Sequence, residues 1–461
     1  MLYSKFYSKF CHCLILFVFA IFITNNIIAQ ETLSLEKLSL ANAIEKTLAQ
    51  NYDIQVVKTQ IEVTKVNNSW EAAGKYPTFV VGINQNNTLA NIIKPAPFQL
   101  QGTIINNGIV PNLAVNWVLF NGYGIRIEKQ RLNLLQQQAE GNAAANIQTT
   151  LQNLILNYYN IQLLQKQAKI LENVMLLSRQ KYEYLQFKKQ IGGAIISEVW
   201  QEQNNYLSDS VAVITQKLSV RNAMRNLNLL MAEKETEKIY MLTDSLSLPV
   251  ENYDFKTLQD KMLSNNINLK NQLLANELLQ NNIADAKAAQ SPTLSFAATS
   301  NYNMAFQNLD NATRGDGTSA SSSTGSVISQ NNAAGFVLTM PIFNNGIVKR
   351  NLQTAKLQLK IGEMQTEQLK LRLSNILQQS LDQYQVRKQL QQIATINEKL
   401  AYDNLQLAAD RFKTGKINTF EYRILQENYL NIASTTLQAR YQVIETNMQL
   451  AILTGGILEE K

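Results

Sequence analysis

The sequence predicts a mainly α fold with a membrane β-barrel portion, in which a strand hairpin followed by a long helical hairpin occurs twice. Three observations carry this reading. Two long stretches lack proline, an internal repeat holds one constant spacing, and the apolar period switches between two and the helical value at defined corners.

The chain has 461 residues, and its opening reads as a cleavable signal peptide, residues 1–29. Lys5 and Lys9 give a positive start, residues 14–23 form an apolar run, and Ala29 offers a small residue for cleavage. The run is shorter than the roughly 20 apolar residues of an ordinary spanning helix. The competing reading keeps residues 14–29 as one anchor helix. Cleavage would remove Cys11 and Cys13, the two cysteines, together with His12, the single histidine. The mature chain then has no thiolate nucleophile, no disulfide, no Cys/His zinc site and no histidine base. We therefore expect no cofactor, no metal and no enzyme activity. Net charge falls from +7 to +5 with the loss of Lys5 and Lys9. The basic residues are scattered rather than set in a stripe with aromatic residues, so no nucleic-acid partner is expected.

Residues 112–248 and 342–461 contain no proline and little glycine, as uninterrupted helices require. Phe120-Asn121-Gly122 recurs as Phe343-Asn344-Asn345-Gly346, the phenylalanines 223 residues apart. The same spacing maps Gly192 onto Gly415, Glu198 onto Glu421, and Asn205-Tyr206-Leu207 onto Asn428-Tyr429-Leu430. Tyr76-Pro77-Thr78-Phe79 matches Ser291-Pro292-Thr293-Leu294 at a spacing of 215, so the second copy carries eight extra residues between its Pro and its Phe. The domains predicted are therefore the signal peptide, a first repeat at 30–249 and a second at 250–461. Each repeat comprises a helix, a strand hairpin (about 76–120, then about 291–343) and a helical hairpin with its tip near 192 or 415.

Between each Pro and Phe the apolar period is two: Phe79, Val81, Ile83 and Leu113, Val115, Trp117, Leu119, then Leu294, Phe296, Ala298 and Phe336, Leu338, Met340, Ile342. These are strands of about ten residues, the length a tilted membrane strand needs. Residues 84–111 and 303–332 read as mobile external connections. The Arg314-Gly315-Asp316 triplet in the second is read as a coincidental match to an adhesion motif, and the strand aromatics as groups facing lipid.

Beyond each corner the period becomes helical, as in Leu373, Leu377, Leu381, Tyr384 and in Val213, Val220, Met224, Leu227, Met231. From Phe120 to Gly192 is 72 residues, about 108 Å as helix. The return arm is split, with a Pro-containing connector through Pro249 and a second helical piece over 253–290. Residues 31–75 supply the equivalent piece for the first copy.

Four membrane strands cannot close a barrel, since the smallest single-chain barrels use eight, and open edges in lipid leave amides unsatisfied at several kcal/mol each. Oligomerisation is forced, and three copies would give twelve strands. The corners "VNWVLFNGYG" and "FVLTMPIFNNG" and the tips "QIGGAIISEVW" and "RFKTGKINTFEY", in order at one spacing, resemble the TolC family of outer-membrane efflux proteins. The resemblance implies a homotrimer with a twelve-stranded outer-membrane barrel continued by a periplasmic helical tunnel. It also implies a periplasmic adaptor (membrane fusion protein) and an inner-membrane pump of RND, ABC or MFS type. Implied adaptor-docking residues are Ile191, Gly192, Gly193 and Ser197 on one tip and Thr414, Gly415, Lys416 and Thr419 on the other. Glu198 and Glu421 are implied to line the periplasmic aperture. Ile424 and Ile417 stand where the family often carries an acid and a base, so its gating ion pairs are not reproduced at those positions. The alternative reading is a soluble periplasmic coiled-coil adaptor or scaffold, which needs no strands. A secreted hydrolase using carboxylates alone would need an acid pair in a globular pocket.

Overall fold

A computed structural model describes residues 36–96, 99–247 and 251–456. The expected signal peptide, with Cys11, His12 and Cys13, lies outside the described residues, as does Pro249 of the expected connector. In chain order the elements are β1 (Glu36–Leu38), α1 (Leu40–Gln50), α2 (Tyr52–Asn67), β2 (Thr78–Ile92), β3 (Gln101–Asn121), α3 (Gly124–Gln190), α4 (Ile196–Leu230) and β4 (Tyr240–Leu242). There follow α5 (Phe255–Asn265), α6 (Ile267–Ala288), β5 (Thr293–Thr313), β6 (Gly325–Thr339), α7 (Ile347–Lys413) and α8 (Thr419–Thr454). Among the described residues no helix is long and apolar enough to cross a membrane.

The two long helices α3 and α7 are each 67 residues, about 100 Å at 1.5 Å per residue. Each starts from a two-residue reversal in the left-handed region, Gly122 and Tyr123 (φ 65° and 68°) before α3, Asn345 and Gly346 (φ 52° and 70°) before α7. The chain can thereby leave the sheet and enter a helix without a loop.

β2, β3, β5 and β6 form one antiparallel sheet in that order. β2 pairs with β3 from Thr78 opposite Asn116 to Ile92 opposite Gly102. β5 pairs with β6 from Thr293 opposite Thr339 to Gln307 opposite Gly325, position for position the same register. All eight extra residues of the second hairpin thus fall between Gln307 and Gly325.

The strands are longer than the ten residues expected, 15 for β2 and β6 and 21 for β3 and β5. Among the described residues, 84–111 and 303–332 are mostly strand, and only 93–96, 99–100 and 314–324 connect. The expectation of long mobile loops failed because a main-chain ladder does not need apolar side chains. Beyond the apolar band it is continued by Asn, Thr and Gln, as where Thr88 Oγ1 donates to the Asn106 carbonyl at 3.3 Å. The 314–324 turn has its own small core of Leu309, Ala312 and Ala320 with Leu100 and Ile104. Arg314 is used inside it, donating to Ser319 O (2.8 Å) and Ser323 Oγ (2.6 Å).

Pro111 lies inside the central strand β3, a position usually barred to a residue without an N–H. It sits where the ladder to β5 skips, between the pairs Ile109–Met304 and Asn112–Asn301.

Two helix junctions hold the middle of the molecule. Asn51 ends α1 and caps α2, its Oδ1 accepting from Ile54 N (3.1 Å) while its Nδ2 donates to Leu230 O at the end of α4 (2.8 Å). Asn266, 215 residues later, does the same between α5 and α6, accepting from Leu269 N (3.0 Å) and donating to Leu453 O near the end of α8 (3.0 Å). Both asparagines are buried. Each satisfies one orphan N–H and one orphan carbonyl at two helix ends. Above them lie two apolar clusters, one around Leu154, Tyr158 and Ile161 of α3 and one around their counterparts Leu377, Leu381 and Tyr384 of α7. Burying each such side chain contributes roughly 1.5–3 kcal/mol.

α6 packs between α3 and α7, and the isolated helix glycines explain how closely. A Cβ on Gly141 would collide with Asn271 of α6, and one on Gly362 would meet Asn276 Oδ1 at 2.5 Å and Leu279 at 2.8 Å. Two outcomes follow. Gly362→Ala, which in an exposed helix would stabilise by about 1 kcal/mol, should here destabilise by about 1–3 kcal/mol through overpacking, read as a lower midpoint in denaturant. Asn266→Ala should cost about 2–4 kcal/mol, the sum of a lost cap and a buried carbonyl left without a donor. An unchanged midpoint in that variant would refute the junction's role.

Candidate functional site at the helical tips

The far ends of the helical hairpins carry the residues singled out in the sequence. α3 ends at Gln190 and turns through Gly192 (φ 76°), with Gly192 N donating to Lys189 O (3.1 Å) and Gly193 N to Lys188 O (2.8 Å). α7 ends at Lys413 with the same pair of bonds, Gly415 N to Phe412 O (3.0 Å) and Lys416 N to Arg411 O (2.9 Å), around Gly415 at φ 72°. This is the Schellman closure, which needs a residue in the left-handed region. Nothing lies within 4 Å of where a Cβ would stand on either glycine, so backbone conformation rather than crowding selects glycine here.

Ile191, Gly192, Gly193, Ser197, Thr414, Gly415 and Lys416 are all exposed, and Thr419 is half-buried. Thr414 Oγ1 donates back to Asp410 O (3.2 Å) and Arg411 O (3.1 Å). Ile195, Trp200 and Phe420 are exposed close by in sequence.

The two acids each cap a helix. Glu421 Oε2 accepts from Asn418 N (3.2 Å) while Asn418 Oδ1 accepts from Glu421 N (2.8 Å), a reciprocal capping box on α8. Glu198 Oε2 accepts from Ile195 N (3.3 Å) at the start of α4, where the cap residue is an isoleucine that cannot reciprocate. A carboxylate at either helix N-terminus is also favoured by the helix dipole. Ser197, Glu198 and Thr419 line one open groove between the starts of α4 and α8, together with Glu202, Arg423 and Glu427. Glu421, Ile191, Gly192, Gly193, Thr414, Gly415 and Lys416 are not brought to it.

Just behind the tips is a buried charge cluster that the sequence reading missed. Arg423 of α8 grips Asp209 of α4 with two bonds (2.7 and 2.9 Å), and Ser178 of α3 donates to the same carboxylate (2.6 Å). The bonds to Asp209 push the Arg423 guanidinium further up than its already high ordinary value. Lys181 of α3 meets Glu202 of α4 at 3.0 Å, with both side chains nearly inaccessible. Its Nζ also donates to Thr419 O (2.9 Å) and lies over the rings of Phe412 and Tyr422, 5.3 and 5.1 Å from their centroids. Burial holds Lys181 below the ordinary lysine range, with Glu202 opposing the shift.

A signal for these residues was present. Val174, Ser178, Lys181 and Leu185 are all buried on α3, and Val199, Glu202, Asp209 and Val213 are all buried on α4. Their steps of three, four and seven put the polar residues on the seam itself, where an apolar residue is the norm. A charged residue on a seam asks for a partner, and here the partners come from the other hairpin or its neighbour helix.

Residues 258–456 match the family described as Outer membrane efflux protein. By sequence, no curated protein matches the chain. Among solved structures it is similar to the Campylobacter jejuni CmeC outer membrane channel, with 16% identity and a TM-score of 0.71 over 90% of this chain and 85% of that one. It is similar to a membrane protein from Pseudomonas aeruginosa, at 13% identity and a TM-score of 0.73 over 92% and 91% of the two chains. A third likeness is to the open state of the Neisseria gonorrhoeae MtrE outer membrane channel, at 14% identity and a TM-score of 0.63 over 90% and 89%. At such identities the likeness is one of fold, and it spans both strand hairpins and both helical hairpins. The family match thus lies within the second of these units, residues 258–456, and across both units the chain has the fold of outer membrane channels.

Proposed function

We propose that three copies of the chain form a twelve-stranded barrel in the outer membrane, continued by a helical tunnel across the periplasm. The tunnel gives passive exit to cargo from an inner-membrane pump of RND, ABC or MFS type, passed on through a periplasmic adaptor. In this reading residues 1–29 direct export and are removed, and 30–249 and 250–461 are two repeats of one unit. The observation that carries it is the four-stranded sheet with two open edges, β2 and β6, attached to helices about 100 Å long. Such a sheet is satisfied in lipid only by closing with other copies, and helices of that length suit a duct rather than a globule. The strands also speak against the soluble adaptor or scaffold.

The adaptor contacts fall to the exposed tips, Ile191, Gly192, Gly193 and Ser197 with Thr414, Gly415, Lys416 and Thr419. Glu198 and Glu421, held by their caps, present carboxylates near the tunnel end, where three copies would concentrate negative potential and favour cations. Opening that end requires the α7–α8 hairpin to move against α3–α4. The ties across the two hairpins that resist such movement are Arg423–Asp209 and Lys181 with Thr419 O, while Glu202 holds Lys181 within its own hairpin.

Removing one partner of a buried pair costs about 3–5 kcal/mol, while removing both costs far less. In planar bilayers, Asp209→Ala should raise single-channel conductance or open probability severalfold over the unmodified protein, with Asp209→Asn between them. Equal currents in all three would contradict the gating role, and an inserted protein that conducts in none would contradict the channel. Lys181→Met should speed proteolysis at the exposed tip aromatics at least about tenfold, in line with loss of a buried partner. Lys181→Met/Glu202→Met together should return the rate toward normal, and failure of that rescue would remove the pair from the account.

A further inference from the structure

Charge is almost absent from the strands and returns at one level of the molecule. Across β2, β3, β5 and β6 the single charged residue is Asp310, near the end of β5 that lies away from the helices. Where the strands give way to α3 and α7, cations reappear at once. Arg126 and Lys349 lie in the first turns of these helices, 223 residues apart and so at the same place in the two repeats, and both are exposed. No acid accompanies either in that turn, and the helix dipole disfavours a cation there. The first ion pairs along α3 and α7 are Arg131 with Glu128 (2.6 Å) and Lys370 with Glu367 (2.8 Å), so neither cation is neutralised among the described residues. A cation placed twice against the dipole, with no acid of the chain to offset it, asks for an anion from outside.

Aromatic rings mark the same level. The ladder between β3 and β5 skips Leu119, which returns Phe120 to the face that bears Trp117. The Phe120 ring packs edge-on against Tyr123 at 5.7 Å, and the Arg126 guanidinium lies over Tyr123 at 5.6 Å. At the entry to β2, Lys75 Nζ lies over Trp70 at 4.7 Å and over Tyr76 at 5.8 Å, while Trp117 Nε1 donates to the Lys75 carbonyl (2.9 Å). Rings with one apolar and one wet side gather where hydrocarbon meets headgroups.

We infer that Lys75, Arg126 and Lys349 form a basic collar that binds the phosphates of anionic phospholipids in the periplasmic leaflet. This rests on the membrane barrel proposed above and deepens it by naming the lipid chemistry that the helix end of the barrel takes. The rings occupy the boundary of the hydrocarbon, and the cations reach past them to the headgroups, where basic residues beside a membrane are drawn to anionic lipid. The other end of the strands has no such set. There Arg314 is engaged within its own turn, and Lys94 is outnumbered by Asp310 and Asp316.

Native mass spectrometry of the full chain in mild detergent, titrated with phosphatidylglycerol or with phosphatidylcholine of the same acyl chains, reads the collar directly. The unmodified protein should hold phosphatidylglycerol at least about fivefold more tightly, the effect of one basic residue at an anionic surface. Arg126→Gln/Lys349→Gln should lose most of that preference, Arg126→Lys/Lys349→Arg should keep it, and Lys94→Gln at the outer end should leave it unchanged. In detergent without lipid the double Gln variant should be at least as stable to heat as the unmodified protein, since it removes two cations from helix starts. A lower melting temperature there would make the cations structural and overturn the collar. Equal retention of the two lipids by the unmodified protein, or an undiminished preference in the double Gln variant, would overturn it while leaving the barrel standing. Displacement of bound phosphatidylglycerol by inorganic phosphate at fixed ionic strength would mean a site for a free anion and would also overturn it. Should the double variant fail to assemble, Lys75→Gln, outside both helices, should weaken the preference, and an unchanged preference would count against the collar. A chain that takes up neither lipid would refute the membrane barrel as well.

Discussion

The rest of the structure depends on the two unpaired edges of its four-stranded sheet. In hydrocarbon no water relieves a free N–H or C=O, so a sheet that ends at β2 and β6 cannot be the finished object in a membrane. Apolar residues on the β2 edge (Phe79, Val81, Ile83) and the β6 edge (Phe336, Leu338) are among the most exposed in the chain. A monomer of this shape would also be an aggregation template. Closure by further copies removes the edges and brings the helices into a ring in the same act, so barrel and tunnel are one constraint.

The helical part answers a different demand, keeping 67-residue helices parallel without a globular core. It does so with small repeated devices. Asn51 and Asn266 each join a helix break to the end of a distant helix, Gly141 and Gly362 let α6 come close on both sides, and the Schellman turns at Gly192 and Gly415 reverse the chain within five residues. At the tips the solution changes from apolar seam to buried ion pairs. A buried pair contributes little net stability over an apolar contact, but taking away one partner leaves an uncompensated buried charge.

Much of the fold was legible in the sequence, and the reason is periodicity. The 223-residue spacing placed both long helices and both tips, and the period of two placed the core of each strand around Phe79, Val115, Phe296 and Leu338. The strands' outer halves were not legible, because a ladder of Asn, Thr and Gln has no apolar period and reads as loop. The paired asparagines Asn51 and Asn266 share the 215-residue spacing of the prolines and could have been found by extending that register backwards. The candidate site was legible in position but not in partnership. Gly192, Gly415, Glu198 and Glu421 lie at the tips, yet the buried contacts there run through Ser178, Lys181, Glu202, Asp209 and Arg423. Those meet only when three helices from two hairpins pack side by side, and although the steps of three, four and seven put them on the seam, no spacing along one helix reports which charge each of them will meet.

The claim on which everything rests is that the chain completes its sheet only by joining other copies of itself. Native mass spectrometry of the protein extracted in mild detergent tests it most directly. A single dominant species of three chains is expected, falling apart only when the sheet unfolds. A stable, folded, single-chain species that keeps its full strand content in detergent would contradict it.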